Sequence, residues 1–325
     1  MKKFLSILMA MSVLCLVLTG CNIGNTKTDS DKISIVTTIF PSYDFARQIA
    51  GDKADVQLLL KAGEESHAYE PSVNDILAIK NSDIFICVGS ISEVWVDKVL
   101  DSIDTSKTKV IQLMDNVELL VDGEDDHEDE EEHEHEHEHE DEHEDEHDHS
   151  EYDEHIWTSP LNAITIVGVI NNALIEVDKE NESIYNENYN SYVDKLEALD
   201  VKLRDIVEGA KRNTIVFGDK YPLRYFSEEY GLEYMAAFTS CSTESEPGPQ
   251  TLANLINEVK EENIPVVFYL EFSSQKVADT ICKATGAKKM QFHSCHNVSS
   301  EDFNNGITYI QLMEGNAESL KEALN

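Results

Sequence analysis

The chain alternates between short apolar runs and longer segments in which apolar residues recur at intervals of three and four. ISIVTTI (33–39), VQLLL (56–60), DIFICVG (83–89) and KVIQL (109–113) have the length and β-branched content of buried strands. Between them, SYDFARQIAG (42–51) and SVNDILAIKNS (72–82) carry helical spacing. Strand then helix, repeated, predicts a parallel sheet covered by helices. The rhythm returns in TIVFG (214–218) and PVVFYLEF (265–272), and the chain closes on a helix over SLKEALN (319–325). Between these halves, Leu161 to Val177 reads as one helix. Residues 180–211 read as a long amphipathic helix, with Ile184, Tyr192, Leu196, Leu199, Leu203 and Ile206 along one face. The pattern therefore predicts an α/β protein of two lobes, each a parallel sheet flanked by helices: a first lobe over 33–178, a joining helix over 179–212 and a second lobe over 213–325.

The first residues do not fit that rhythm. Lys2 and Lys3 precede an apolar stretch too short and too quickly ended to span a membrane, as expected of a secretory signal over 1–20. It closes on Leu18-Thr19-Gly20-Cys21, which resembles the bacterial lipobox, and that resemblance implies a lipid-anchored Cys21 outside the membrane. Residues 21–32 then form a polar tether. Cys87, Cys241, Cys282 and Cys295 remain, and an exported protein permits any of three pairings or none. Cys87 lies in an apolar run and reads as core.

Charge changes the picture between residues 122 and 155. This stretch holds 22 acidic residues and no Lys or Arg, so it supplies −22 of the formal −39 and leaves −17 for the rest of the chain. Eight of the twelve histidines lie between residues 127 and 149, at His127, His133, His135, His137, His139, His143, His147 and His149. A solubilising charge run is the simplest reading, but solubility alone does not call for the Glu-His alternation of 132–140. Imidazoles in a carboxylate background collect zinc, copper or nickel. Like-charge repulsion and the lack of an apolar face predict a disordered loop over 122–150. Binding of nucleic acid is disfavoured, because phosphate contacts need a basic face.

Two further histidines stand just ahead of helices, and His67 does so at the carboxyl end of a strand, where ligands bind in α/β lobes. His67 lies in KAGEESHAYEPS (61–72) after a strand, and His155 lies in EHIWTSP (154–160) just ahead of a helix. Together with TTIFPSYDFARQIAGD (37–52) and ITYIQLMEGNAESLKEAL (307–324), these segments resemble the zinc and manganese substrate-binding lipoproteins of bacterial ABC transporters. The likeness runs from about residue 33 to the end of the chain, and the acidic His-rich run resembles that of the zinc importers.

That resemblance implies a rigid joining helix, a metal site in the cleft between the lobes, and His67 and His155 as the first two ligands. The family's third ligand, a His, falls without a gap on Lys220, a cation and a poor ligand. One inserted residue places Asp219 there instead. For the fourth, commonly an Asp, the nearest group is His293, with His296 as alternate. Cys295 between them is open to ligation, a disulfide or a free thiol. Glu246 and Glu271 are expected to line the cleft and orient the ligands.

The implied function is capture of Zn2+, with Mn2+ as the alternative, by a monomer anchored to the outer face of the cell membrane, for delivery to an ABC permease. A surface adhesion or metal-sequestering protein is the rival, since the His-rich run alone would serve it. Enzymatic hydrolysis through an open metal position is the other. No His-Glu-Xaa-Xaa-His, Gly-Xaa-Ser-Xaa-Gly or phosphate loop supports that rival, and an enzyme is not expected.

Overall fold

Four parallel strands form the first sheet in a computed structural model that describes residues 32–64, 69–121, 152–239 and 246–325. Strand β1 (Ile33–Thr37) leads through helix α1 (Phe40–Ala50) to β2 (Ala54–Leu58). Helix α2 (Val73–Asn81), opened by a capping box between Ser72 and Asp75, leads to β3 (Ile84–Cys87). Helix α3 (Trp95–Ser102) leads to β4 (Lys109–Gln112). The order is β2-β1-β3-β4, and the central strands β1 and β3 are the most apolar and most buried.

The second half repeats the plan. Helix α4 (Pro160–Val177) and the 27-residue helix α5 (Glu182–Glu208) precede β5 (Thr214–Phe217). Helix α6 (Arg224–Tyr230), β6 (Glu233–Ala236), α7 (Pro249–Glu261), β7 (Val266–Tyr269), α8 (Lys276–Thr285) and β8 (Lys288–Gln291) follow. The sheet order is β6-β5-β7-β8, again all parallel. Short α9 (Ser300–Asn304) and α10 (Tyr309–Leu324) end the chain.

The long helix joins the halves by packing rather than by its length alone. It packs on α1, α4 and α10. Its buried stripe, Tyr185, Tyr192, Leu196, Leu199 and Leu203, belongs to a core cluster that also takes in Phe45, Ile170, Trp157 and Tyr309. At the crossing, Asp44 is fully buried and accepts from the Tyr192 hydroxyl, the Tyr309 amide and Arg47.

Two strands were invisible in the hydrophobic pattern, EYMA (233–236) and KKMQ (288–291). Both are edge strands of the second sheet, short and only half-buried, where charged residues are tolerated and block further pairing. Cys87 is a core residue, and Cys87, Cys282 and Cys295 are free thiols. Cys21, Cys241 and the histidines from His127 to His149 lie outside the described residues.

Candidate metal centre

His155 sits between α4 and the end of the acidic run. Its entry is fixed by backbone contacts: Val121 and Tyr152 form an isolated antiparallel bridge, and the Asp153 amide donates to the Leu120 carbonyl at 2.9 Å. The Tyr225 hydroxyl of α6 donates to the Asp153 carbonyl, which ties this corner to the second half. After His155 the chain turns through a single 3-10 turn, Ile156–Thr158, and enters α4 with Ser159 as N-cap and Pro160 in the first turn. Thr158 closes the turn by donating its amide and its hydroxyl to the His155 carbonyl.

The ring of His155 is only 2% exposed and faces Asp153, whose Oδ1 lies 3.0 Å from Nδ1. The same oxygen accepts the His155 amide at 2.8 Å. A carboxylate on Nδ1 selects the tautomer that presents Nε2 as a ligand.

From the other half, the loop after β8 brings His296 against this corner. Its ring centroid lies 5.7 Å from that of His155, and Trp157 packs edge-on to both, at 5.4 Å from His155 and 4.9 Å from His296. Trp157 also donates Nε1 to the Ser294 carbonyl at 2.9 Å, so one indole braces both approaches. Cys295 adopts φ 63°, a left-handed conformation that a non-glycine residue takes only when held there. The hold comes from its neighbours. His293 Nδ1 accepts the Cys295 amide, Ser294 Oγ accepts the His296 amide, and Glu271 accepts both the amide and the hydroxyl of Ser294.

Among the described residues, Glu154, His155 and His296 bring three candidate ligand atoms within 4.8 Å of one another. Tetrahedral zinc with bonds of about 2.0–2.1 Å would hold its ligand atoms roughly 3.3–3.5 Å apart, so this group closes on an ion with shifts of about an ångström. Glu154 is 3% exposed. Its Oε2 accepts from the Ser92 hydroxyl, while its buried Oε1 has no hydrogen-bond partner. A buried carboxylate oxygen left bare is what a cation would complete. Burial alone would raise this carboxyl, but His155, His296, Ser90 and Ser92 together outweigh it and bring the pKa down to about 2.

The expected residues fall differently. His155 and His296 come together. His67 lies outside the described residues, but the loop that leads to it is anchored beside His296: Asn297 Nδ2 donates to the Lys61 and Glu64 carbonyls at 2.9 and 2.8 Å. Asp219 is not in the group. Its Oδ1 accepts the Lys220 amide and its Oδ2 the Leu270 amide, so it stitches the ends of β5 and β7 together. His293 is also outside it, with Nδ1 on the Cys295 amide and 3.5 Å from Glu271. Glu271 supports the His296 loop through Ser294, whereas Glu246 is exposed. Glu154 was missed by sequence reasoning: as one acid among 22 it had no distinguishing pattern, and only its adjacency to His155 marked it.

The family described as zinc-uptake complex component A, periplasmic (ZnuA), matches residues 35–323. The zinc-binding lipoprotein AdcA of Streptococcus pneumoniae is 35% identical over 322 residues, covering 99% of this chain and 61% of that protein. This chain thus spans about three-fifths of that relative's length. The high-affinity zinc uptake system protein ZnuA of Bacillus subtilis is 32% identical over 301 residues, covering 93% of this chain and 90% of that protein. The crystal structure of the Zn(II)-bound ZnuA-like domain of Streptococcus pneumoniae AdcA matches with TM-score 0.73 at 31% identity, covering 90% of this chain and 99% of that one.

Proposed function

The chain belongs to the zinc-uptake complex component A family, and on that premise we propose that it is an extracytoplasmic binding lipoprotein that captures one zinc ion and delivers it to an ABC permease. The observation that carries this reading is the meeting of Glu154, His155 and His296, contributed by different halves of the chain, around a bare buried carboxylate oxygen. Imidazole donors suit zinc, and a shell richer in carboxylates would suit manganese. In this reading His67 adds a further imidazole, supported by the Asn297 contacts that bring its loop to His296. Asp219 and His293, whose acceptor atoms already take backbone N–H groups, hold the loops that shape the site.

A site filled by protein ligands binds the ion without an open position for water, which fits capture and release rather than catalysis. Cys21 would carry the lipid that keeps the monomer at the outer face of the membrane. The His-rich run would act as a weak, fast-exchanging collector ahead of the tight site. Zinc content and chelator-competition affinity of the purified protein test the assignment. One tightly held equivalent is expected, lost in both His155→Ala and His296→Ala. Tight binding that survives both substitutions, or a preference for manganese over zinc in direct competition, would overturn it.

A further inference from the structure

The carboxylate of Glu154 is held at one oxygen by a loop distant in sequence. Ser92, which follows β3, donates its hydroxyl to Glu154 Oε2, while the buried Oε1 takes no hydrogen bond. A second serine stands behind the first. The Ser90 and Ser92 hydroxyls lie 2.9 Å apart, and since the single hydrogen of Ser92 is committed to the carboxylate, Ser90 is the donor of that pair. Ser90 is also the N-cap of the 3-10 turn Ile91–Glu93, where a serine side chain ordinarily accepts an amide of the turn, yet it makes no capping bond. Its hydroxyl serves Ser92 instead. The loop that carries both groups is fixed by its own contacts: the Glu93 amide donates to the Ser90 carbonyl at 3.0 Å, and Glu93 Oε2 accepts the Val88 and Gly89 amides at 2.7 and 3.2 Å. Gly89 holds φ +82° there, where a Cβ would press on the Gln112 side chain.

A carboxylate can offer a cation one oxygen or two. One oxygen beside imidazoles completes a four-coordinate shell, which suits zinc, whereas two raise the coordination number toward the octahedral, oxygen-rich shell that suits manganese. Ser92 occupies one of the two. We propose that Ser92, backed by Ser90, is a specificity-determining residue that holds Glu154 to a single metal-facing oxygen and thereby favours zinc over manganese. The inference rests on the reading of Glu154 as a ligand. A serine that merely steadied its loop would affect both metals alike, and one that restricts the carboxylate separates them.

Zinc and manganese affinities, each by chelator competition, are compared for the full chain as wild type, Ser92→Ala, Ser90→Ala and Glu154→Ala, together with the crystal structure of the zinc-loaded wild type. Loss of a group that orients a metal ligand costs about 10–100-fold in affinity. That loss is expected for zinc in Ser92→Ala, with manganese affinity undiminished, so the preference for zinc narrows by the same factor. Ser90→Ala should narrow it in the same direction and by less. The zinc-loaded wild type should show one Glu154 oxygen on the ion and the other on Ser92. An equal loss for both metals in Ser92→Ala, an unchanged ratio, or both Glu154 oxygens bonded to zinc would overturn the inference while leaving the site standing. Unchanged zinc affinity in Glu154→Ala would instead remove Glu154 from the site, and with it the premise. Should Ser92→Ala not fold, Ser90→Ala and the zinc-loaded wild-type structure decide the matter.

Discussion

Asp153 Oδ1 accepts the amide of His155 at 2.8 Å and faces its Nδ1 at 3.0 Å, so one oxygen sets both the backbone entry and the ring of a proposed ligand. The second oxygen of Asp153 is buried without a partner, which leaves the carboxylate dependent on this histidine. Asp153→Ala should weaken zinc binding by about 10–100-fold. Asp153→Asn, which keeps an acceptor, should fall between the variant and wild type. Chelator competition at constant pH measures both.

Asn297 makes a second test, of how the distant loop is held. Its side-chain amide bridges the Lys61 and Glu64 carbonyls, and the residue is 4% exposed. Two such bonds contribute about 0.5–1.5 kcal/mol each, so Asn297→Ala should destabilise the protein by roughly 1–3 kcal/mol in urea unfolding. It should also weaken zinc binding, because the loop that leads to His67 loses its anchor. Unchanged zinc affinity in a destabilised variant would separate that loop from the site.

Much of this architecture was written in the periodicity. The four strands of the first sheet and the long helix follow from apolar runs and from the stripe of Tyr192, Leu196, Leu199 and Leu203. The second sheet was half legible, because β6 and β8 are edge strands whose lysines and glutamate hide the strand pattern. At the site, His155 announced itself by its place before a helix, and the resemblance offered His296 as the alternate to His293. Between them Cys295 is left-handed, His293 Nδ1 accepts its amide, and it is His296 that falls beside Glu154 and His155. No spacing rule encodes that turn. Asp219 was a reasonable ligand by residue type, but it already receives two backbone amides.

Glu93 gives the fold a pH dependence of definite sign. Burial drives its carboxyl up from 4.5 to about 7, against the lowering effect of hydrogen bonds from Thr38 and from the Gly89 and Val88 amides. The folded state thus holds this proton more tightly than the unfolded state. The contribution is fully present below about pH 4.5 and is lost as pH rises through about 7. Glu93→Gln carries no such proton. The thermal midpoint of the metal-free variant should gain on that of wild type as pH is raised across this window. Parallel midpoints at every pH would contradict it.

Deletion of residues 122–150 separates capture from collection. The ends of the excised segment meet at the Val121–Tyr152 bridge, so a short linker can close the chain without disturbing Asp153 or His155. The shortened protein should keep one tight zinc equivalent and lose only weak, additional ones in an isothermal titration. A sequestering protein would lose nearly all binding instead. Affinity of the remaining site should fall as pH drops through about 6.5, where histidine protonates.

The central claim is that imidazoles from the two halves of the chain share one ion, and zinc-edge anomalous diffraction from crystals of the zinc-loaded protein measures it directly. The prediction is one strong peak at bonding distance, about 2.0–2.1 Å, from ring nitrogens of both His155 and His296, with Glu154 Oε1 turned toward it. A peak bound instead at Asp219 or His293, with the rings of His155 and His296 left uncoordinated, would contradict the account.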